Sequence, residues 1–445
     1  GGAVQRLCAM TDEGIYDVSA LAGAGTLDVP LATTGDWSHT LFRTVGGMYL
    51  VAVNGTGDPQ VFDGTSWQAL IGTSTPLTMT GASGPFGAVW VFKSRLYLAK
   101  ANSMTVYYQP VGQVGGAALA LNLSGIFSRG GRILFGASWS SDSGSGFGDR
   151  LVIATDQGEL AVFEGSDPSD PSAWSKVGQY EIPPPLGPNA STRSGGDLLI
   201  ATAEGLLAMT SIVSLDSAQL SAASLSAPIL RSWRESADAS PSGWGIVRWD
   251  GAGVMLVTRP HEAGTCWGIS VDTRAWFKIT GWDVLSAAVY KRRLYFGTHE
   301  GEIVIGDATG QDRGAPFTAR FRGLFEDAGS IGWKAVLQAR SVWNSDTEPR
   351  FSLTFATGPL DGWAPSPAYW AAAEGSNRWD IGVWDIMAWA AGQESMTMHT
   401  ERWSPVGRSG HLLAPEVQVT SDDLLPSRAE LVSVDCMIEG GDVVS

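Results

Sequence analysis

Apolar residues along this chain come in short runs that recur at wide and regular intervals. Each run of three or four apolar residues is followed by a turn rich in Gly, Asn or Asp, and then by a stretch in which apolar and polar residues alternate. A continuous apolar run suits a strand covered on both faces, and alternation suits a strand covered on one face. The pattern therefore predicts repeated β-hairpins.

Six copies of this hairpin pattern can be aligned, and their starts are separated by 48, 55, 47, 56 and 40 residues. The copies are GMYLVAVNGTGDPQVFDG from Gly47, RLYLAKANSMTVYYQP from Arg95, RLVIATDQGELAVFEG from Arg150, DLLIATAEGLLAMT from Asp197, GVMLVTRPHEAGTCWGIS from Gly253 and RLYFGTHEGEIVIGD from Arg293. A further fragment, RLCAMTDEGIYDVSA from Arg6, matches a copy that lacks its first part. Such a period indicates a repeat architecture.

Further strands flank the hairpins. An apolar stretch precedes two copies, at 85–92 and 282–290, and a stretch that starts with Trp67, Trp174 or Trp276 follows three copies. Four strands in a unit of about 40–55 residues match a propeller blade. We therefore predict an all-β chain in which residues 1–314 form a β-propeller of six or seven blades. A generic β-sandwich is the alternative.

Two segments depart from the repeat. Residues 214–233 place apolar side chains near helical spacing, with Pro228 favouring a break, so we predict a short helical insertion near 214–235. After residue 315 the strands become longer and alternate clearly, as in FTARFRGLFEDAG, WKAVLQARSVW, PRFSLTFATG, PEVQVTS and AELVSVDCMIEGG. We predict a separate C-terminal β-domain of sandwich type over residues 315–445.

An aromatic-rich insert at 361–403 interrupts this C-terminal domain. Its candidate contact residues are Trp363, Trp370, Trp379, Trp384 and Trp389. One interpretation is a surface that contacts a partner protein, a sugar or a membrane. The other, which we prefer for side chains of this kind, is a core beneath a large loop.

The composition of the chain excludes several classes of function. The net charge of −16 disfavours ordinary capture of nucleic acid, although it permits a surface that nucleic acid passes without sticking. Cys8, Cys266 and Cys436 are too few and too far apart to predict a disulfide framework or a cysteine metal site. No apolar run is long enough to span a bilayer. Because the chain begins Gly-Gly without Met, we expect that an N-terminal piece has been removed.

No catalytic, cofactor or metal site is predicted. The five His residues show no metal-ligand spacing, and there is no Walker A motif, GxSxG elbow or strand-GxGxxG-helix unit. The stretch 140–147, SSDSGSGF, resembles the Asp-box, a structural turn of sialidase-type propellers, but a single copy in a Ser/Gly-rich segment carries little weight. A glycosidase needs two carboxylates about 5–10 Å apart, and the spacing of the acids identifies no such pair.

Residues 242–307, which run from SGWGIVRWDGAGVMLVTRP to RRLYFGTHEGEIVIGD, are similar to the tail nozzle proteins of short-tailed phages, also called packaged-DNA stabilisation proteins. The preceding stretch, DLLIATAEGLLAMTSIVSLDSAQLSA followed by ILRSWRE, looks like theirs as well. The similarity covers about residues 40–330, with a weaker echo in the last two strands. The aromatic-rich insert has no place in the family pattern.

This resemblance implies a structural virion protein without catalytic residues or cofactor, assembled in the host cytoplasm. It implies a ring of copies, usually six, at the distal end of the tail. The ring would dock below the tail adaptor of the head-to-tail connector and contact a tail fibre or needle protein. DNA would be retained by the ring and then pass along its axis without sequence recognition. The alternative function is a propeller-type glycoside hydrolase or a carbohydrate-binding receptor-recognition protein.

Overall fold

The computed structural model divides the chain into two compact units, Gly1–Gly306 and Asp307–Ser445. The second unit starts eight residues before the start at 315 that the sequence predicts. The structure describes residues 5–20, 23–34, 36–71, 77–140, 148–260, 262–329, 331–345, 351–358, 396–421 and 428–440.

Within the described residues, the first unit contains seven consecutive antiparallel sheets, numbered here blades 1 to 7 in chain order. Blade 1 comprises β1 (Cys8–Met10), β2 (Gly14–Asp17) and β3 (Thr26–Pro30), and blade 2 comprises β4 (Ser38–Thr44), β5 (Gly47–Val53), β6 (Gln60–Phe62) and β7 (Trp67–Ala69). A separate parallel pair comprises β8 (Met79–Thr80) and β12 (Gly116–Ala117). Blade 3 comprises β9 (Phe86–Phe92), β10 (Arg95–Lys100), β11 (Thr105–Tyr108) and β13 (Leu119–Asn122).

The remaining blades follow the same order. Blade 4 comprises β14 (Ile133–Trp139), β15 (Arg150–Thr155), β16 (Glu159–Gly165) and β17 (Trp174–Glu181), and blade 5 comprises β18 (Ser191–Ser194), β19 (Asp197–Thr202) and β20 (Gly205–Ala208). Blade 6 comprises β21 (Gly245–Trp249), β22 (Val254–Thr258), β23 (Thr265–Ser270) and β24 (Trp276–Thr280), and blade 7 comprises β25 (Ser286–Tyr290), β26 (Arg293–Gly297) and β27 (Ile303–Gly306).

The hairpins that the sequence predicts are the second and third strands of blades 2 to 7, for example β26 and β27. The three Trp stretches are the fourth strands β7, β17 and β24. The fragment from Arg6 forms β1 and β2, so blade 1 has no strand before its hairpin within the described residues.

The blades are arranged as a ring. First strands of successive blades contact each other, as β4 contacts β9, β9 contacts β14, and β21 contacts both β18 and β25. This places the first strands around a central axis. Tyr290 Oη of blade 7 donates to the Gln5 carbonyl just before blade 1, at 2.8 Å, and so joins the last blade to the first. The predicted β-propeller is confirmed.

Buried apolar clusters lie between successive blades and hold them together. The cluster between blades 3 and 4 includes Trp90, whose ring stacks on Tyr97 with centroids 5.9 Å apart. Gly136 of β14 lies directly against Trp90, since a Cβ added there would stand 2.2 Å from that ring. Glycine is needed at this position because the indole of the neighbouring blade occupies the space of a side chain.

The helical insertion predicted near 214–235 is present, and it consists of several short helices. Four short helices follow β20: α1 (Met209–Ser214), α2 (Ser217–Leu220), a 3-10 helix (Ala227–Ile229) and α3 (Leu230–Ala239). Pro228 lies in the 3-10 helix, where a missing N–H and a fixed φ are tolerated. The insertion takes the chain position of a fourth strand in blade 5, and its Trp233 is fully buried.

The second unit is a sandwich of two antiparallel sheets. Its strands are β28 (Gln311–Asp312), β29 (Ala315–Arg322), β30 (Lys334–Ser345), β31 (Phe351–Ala356), β32 (Thr397–Thr400), β33 (Ser404–Gly410), β34 (Ala414–Ser421) and β35 (Ala429–Gly440). One sheet has the order β28-β29-β34-β31; in the other, β30 pairs with β35 and with both β32 and β33. Trp343 of one sheet packs against Phe351 and Val417 of the other. The sequence prediction was wrong for residues 323–329, since β29 ends at Arg322 and a loop follows.

Candidate interaction surface

The loop between β29 and β30, described at 323–329 and 331–333, is fixed to the turn between β33 and β34. Glu326 and Leu413 exchange backbone hydrogen bonds of 3.0 Å in both directions, and Gly323 N donates to the Pro415 carbonyl at 2.8 Å. The loop backbone is therefore held in place, although it has no regular secondary structure.

Four large apolar side chains on this loop and turn face water. The exposed fractions are 83% for Leu324, 80% for Ile331, 54% for Trp333 and 39% for Leu412. The Trp333 ring stands edge-on to the imidazole of His411, with centroids 5.1 Å apart, and this contact orients it. We name these four residues the apolar tip. Exposed apolar clusters of this kind are typical of protein–protein contact sites.

Acidic groups border the apolar tip. An open depression of roughly 420 Å³ is lined by Phe325, Glu326, Asp327, Ala328, Gly329 and Leu412. Asp327 Oδ1 accepts a hydrogen bond of 3.0 Å from Gly329 N, which shapes the turn. An apolar centre with a polar rim is the arrangement of a protein interface.

The contact residues predicted from the sequence, Trp363, Trp370, Trp379, Trp384 and Trp389, lie outside the described residues, and their role stays a prediction. Trp403 of the same insert is described, and the guanidinium carbon of Arg340 lies 4.8 Å from its ring centroid. Of the Asp-box-like stretch, only Ser140 is described.

One hydrogen bond in the propeller crosses between blades that are not neighbours. Asn189, just before β18 of blade 5, donates from Nδ2 to the carbonyl of Trp37, just before β4 of blade 2, at 3.1 Å. Trp37 immediately precedes β4, Asn189 lies two residues before β18, and these first strands surround the axis. Loops from the two blades therefore meet at one end of the propeller axis.

His299 in the turn between β26 and β27 has a well-defined environment. Its Nδ1 lies 2.5 Å from Asp283 Oδ1, and its Nε2 lies 2.6 Å from the Pro260 carbonyl oxygen. The Pro260 carbonyl and the Asp283 carboxylate both favour the protonated ring, and they raise the pKa of His299. Because both ring nitrogens face acceptors, the Asp–His pair has no free nitrogen to act as a general base. It joins blades 6 and 7 instead.

Two further buried charges are satisfied within the fold. Arg95 of β10 donates from Nε to the Ser166 carbonyl at 3.0 Å and from Nη2 to Asp167 at 2.7 Å, which ties blade 3 to a turn of blade 4. Burial opposes ionisation of Glu159, but hydrogen bonds from Arg129 N and from Ser128 outweigh it and lower the pKa of this carboxyl. These groups hold turns in place.

Metal and membrane features can be assessed only over the described part of the chain. There, no three or more His, Cys, Asp or Glu side chains are grouped to hold a metal ion. No helix in that part is long and apolar enough to cross a bilayer.

Comparison with known proteins shows likeness at the level of fold alone. No family model and no curated protein matches this chain. PorZ, a surface component of the type-IX secretion system of Porphyromonas gingivalis, matches at 13% identity and a TM-score of 0.38, over 73% of this chain and 42% of its own length. A candidate 6-phosphogluconolactonase of Bacteroides uniformis matches at 12% identity and a TM-score of 0.41, over 66% of this chain and 91% of that chain. The β-propeller domain of Cps50 (Swd1) from Myceliophteria thermophila matches at 11% identity and a TM-score of 0.39, over 67% of this chain and 91% of that domain.

The apolar tip was missed by sequence reasoning. Leu324 and Trp333 were assigned to strands, where apolar residues are expected to be covered. One signal was present: Ile331 lies in the stretch Gly329-Ser330-Ile331-Gly332, and a large apolar residue among turn-forming residues is often exposed.

Proposed function

We propose that this protein is a structural subunit of the tail nozzle of a short-tailed phage. The proposal rests on the apolar tip. Exposed Leu, Ile and Trp side chains on one loop and turn of the β-sandwich are typical of a surface that binds another protein. The resemblance to nozzle proteins supports the choice of assembly. Its strongest stretch, 242–307, comprises the whole of blades 6 and 7.

The propeller suits a rigid building block. Blades 2 to 6 are each held between two neighbours by buried aromatic and aliphatic side chains, so loops can carry contacts without disturbing the core. The proposed partners are further copies of the chain in a ring, a tail adaptor, and a tail fibre or needle protein.

The proposed DNA path runs between copies and not through one propeller. The Asn189–Trp37 hydrogen bond bridges the mouth of the propeller axis, and duplex DNA is far wider than a gap that two loops span with one bond. Each chain has a net charge of −16, so a ring of six would carry a net charge of about −96, which repels the phosphate backbone of DNA. That repulsion is screened beyond ~8 Å at physiological salt, so it acts only near the wall.

The test is the size of the purified full chain by mass photometry, with negative-stain images of the particles. We expect a ring in the wild type, alone or after addition of the cognate adaptor. Leu324→Glu and Ile331→Glu should abolish assembly while leaving the circular dichroism spectrum and the unfolding midpoint unchanged.

Val45→Glu is the matched control, because Val45 is a fully exposed apolar residue in the β4–β5 turn of the propeller. If Val45→Glu disrupts assembly as strongly as the tip variants, the tip is not the contact. If the chain stays a monomer with adaptor present and hydrolyses or binds glycans, the proposal fails and the carbohydrate-directed alternative replaces it.

A further inference from the structure

The turns that connect the first and second strands of the blades meet at one end of the propeller axis. Ser140 N, just after β14, donates to the Gly196 carbonyl in the turn of blade 5, at 3.1 Å. A Cβ added at Gly251, in the turn of blade 6, would stand 3.0 Å from the Arg292 carbonyl oxygen in the turn of blade 7. The bond between the starts of β4 and β18 lies at the opposite end of the axis, because first strands run from that end to these turns.

Basic side chains are concentrated in and beside these turns. Those that form no ion pair within the described part of the chain come from blades 2, 3, 5 and 7, and they are Arg43, Lys93, Arg193, Lys291, Arg292 and Arg293. All except Lys93 are exposed to water. We name these six residues the basic rim. In a chain of net charge −16, the basic rim is a local reversal of sign.

The acids of the same turns do not balance the basic rim. Asp250 is bound to Arg248 at 2.5 Å within its own hairpin, so this pair is neutral. Asp197, which accepts a hydrogen bond of 3.1 Å from Trp139 Nε1, and Asp149 are the other acids in these turns over the described residues. The turns between third and fourth strands also carry acids, but those turns lie at the outside of the ring. The basic rim therefore keeps a net positive charge.

The turn of blade 7 uses residues that suit its backbone poorly. Lys291 and Arg292 form the two-residue turn between β25 and β26, and both are left-handed, with φ of 49° and 66°. A hairpin turn of this kind favours Asn-Gly, and blade 5 has Gly195-Gly196 at the same place. Long side chains are unfavourable in left-handed backbone. Stability of the turn does not select these two bases, whereas binding of an anion would.

The chemistry of the basic rim favours a short anionic ligand. A long polyanion such as duplex DNA would extend beyond the rim over a chain of net charge −16. Single-stranded nucleic acid is bound by aromatic rings that stack on the bases. Tyr290, the aromatic residue beside the blade 7 turn, has its hydroxyl bound to the Gln5 carbonyl and its ring 4.9 Å from the Lys291 ammonium, so it offers no stacking platform.

We propose that the basic rim binds a short acidic segment of a partner protein at this end of the propeller axis. Guanidinium groups bind carboxylates through paired hydrogen bonds, which gives the arginines of the rim a preference for Asp and Glu side chains. An extended segment of about eight residues is ~26 Å long, so it can contact the turns of more than one blade. The inference does not rest on the proposed nozzle role, because the basic rim belongs to the propeller and the apolar tip to the second unit.

The probe is a fluorescein-labelled octaglutamate peptide, and octaglutamine is the neutral control. In an anisotropy titration with the full chain we expect octaglutamate to bind in about 50 mM NaCl and to dissociate as NaCl is raised to about 300 mM, because salt screens exposed ion pairs. Octaglutamine should not bind. Lys291→Asn combined with Arg292→Gly removes two bases and gives the turn its favoured sequence, so the unfolding midpoint should not fall. The affinity for octaglutamate should fall about tenfold.

Arg274→Gly combined with Lys278→Gln is the matched control. Both residues are exposed bases of blade 6, outside the basic rim, and Arg274 is also left-handed, with φ of 58°. This control removes the same charge from the chain as the rim variant does. It should leave the affinity for octaglutamate within about twofold of the wild type, because salt screens charges that lie farther away.

Three results would overturn the inference. The first is no salt-dependent binding of octaglutamate by the folded chain. The second is an equal loss of affinity in the control, which would mean that the peptide responds to overall charge. The third is tighter binding of a labelled oligothymidylate that the rim variant loses, which would make the ligand a nucleic acid. Absence of ring assembly would count against the nozzle proposal alone, because peptide binding is measured whether or not a ring forms.

Discussion

The side-chain amide of Asn189 and the backbone carbonyl of Trp37 meet at 3.1 Å, although 152 positions separate them along the chain. Replacing Asn189→Ala removes the donor and leaves the carbonyl without it. We expect the free energy of unfolding in urea to fall by about 0.5–1.5 kcal/mol. Asn189→Asp should cost more, because a carboxylate oxygen would then face the carbonyl oxygen.

Asn122→Ala is the comparison for this prediction, because among the described residues the Asn122 side chain accepts a local hydrogen bond from Ser124 N, two residues away. The Asn189 variants should lower the unfolding midpoint more than Asn122→Ala does. Equal effects would mean that the bond across the axis adds nothing beyond local order.

His299 predicts a stability difference that depends on pH. Its folded-state pKa is raised, so the folded protein holds the proton more tightly than the unfolded chain. The contribution is complete below the unfolded pKa of about 6.5 and is lost as the pH rises through the raised folded value. His299→Gln should therefore lower the unfolding free energy more near pH 5.5 than near pH 8.5, as measured by urea denaturation.

Asp283→Asn supplies the control, since it removes the carboxylate that faces His299 Nδ1. In that background, the pH dependence of the His299→Gln effect should shrink. If His299→Gln lowers the free energy of unfolding equally at both pH values in the wild-type background, the pKa of His299 is not raised in the folded protein.

We expect that a single methyl group added at Gly136 lowers the free energy of unfolding substantially. A Cβ at this position would stand 2.2 Å from the Trp90 ring, so either the indole or the blade must move. Overpacking of this kind costs about 1–3 kcal/mol. Gly297→Ala is the matched control, because the nearest atom to its added Cβ is Ser286 Oγ at 3.4 Å, an ordinary contact. Thermal unfolding of both variants tests the difference, and equal midpoints would contradict the close approach.

We expect the thiols of the three cysteines to react at different rates. Burial raises the pKa of Cys8 to about 11 and that of Cys266 to about 12, and it also raises the pKa of the exposed Cys436. Thiolate is the reactive form, so labelling at pH 8 should be slow at all three sites and fastest at Cys436. Cys266 should react only after unfolding. Mass spectrometry of the labelled protein locates the sites, and early labelling of Cys266 would show that blade 6 opens.

The repeated hairpins could be predicted from sequence because both of their signals are local. A run such as Leu294 to Phe296 is apolar throughout, a turn follows, and the distance to the next copy is long and regular. The fourth strands were recognised only where a Trp marks them, as at Trp276. Blade 5 has the predicted helical insertion there, and Pro228 lies in the 3-10 helix that separates α2 from α3, in line with the break that this residue type favours.

The apolar tip and the bond across the axis could not be predicted, for a different reason. Exposure of Leu324 depends on what lies over it in space, and its neighbours in sequence carry no such information. A bond from Asn189 to a backbone carbonyl places no requirement on the identity of residue 37, so the sequence contains no matching partner. Features that depend on distant backbone leave little trace in a single chain.

The helical insertion of blade 5 also provides an intrinsic spectroscopic signal, because it completes a cluster of tryptophan rings. Trp233 of α3 is enclosed by the rings of Trp244, Trp267 and Trp276, with centroid distances of 5.0, 5.5 and 5.9 Å. Indoles this close couple their electronic transitions, so the native state should have a strong near-ultraviolet dichroic band that vanishes when α3 separates from blade 6. Loss of that band would time the detachment of one segment during unfolding without any label being attached.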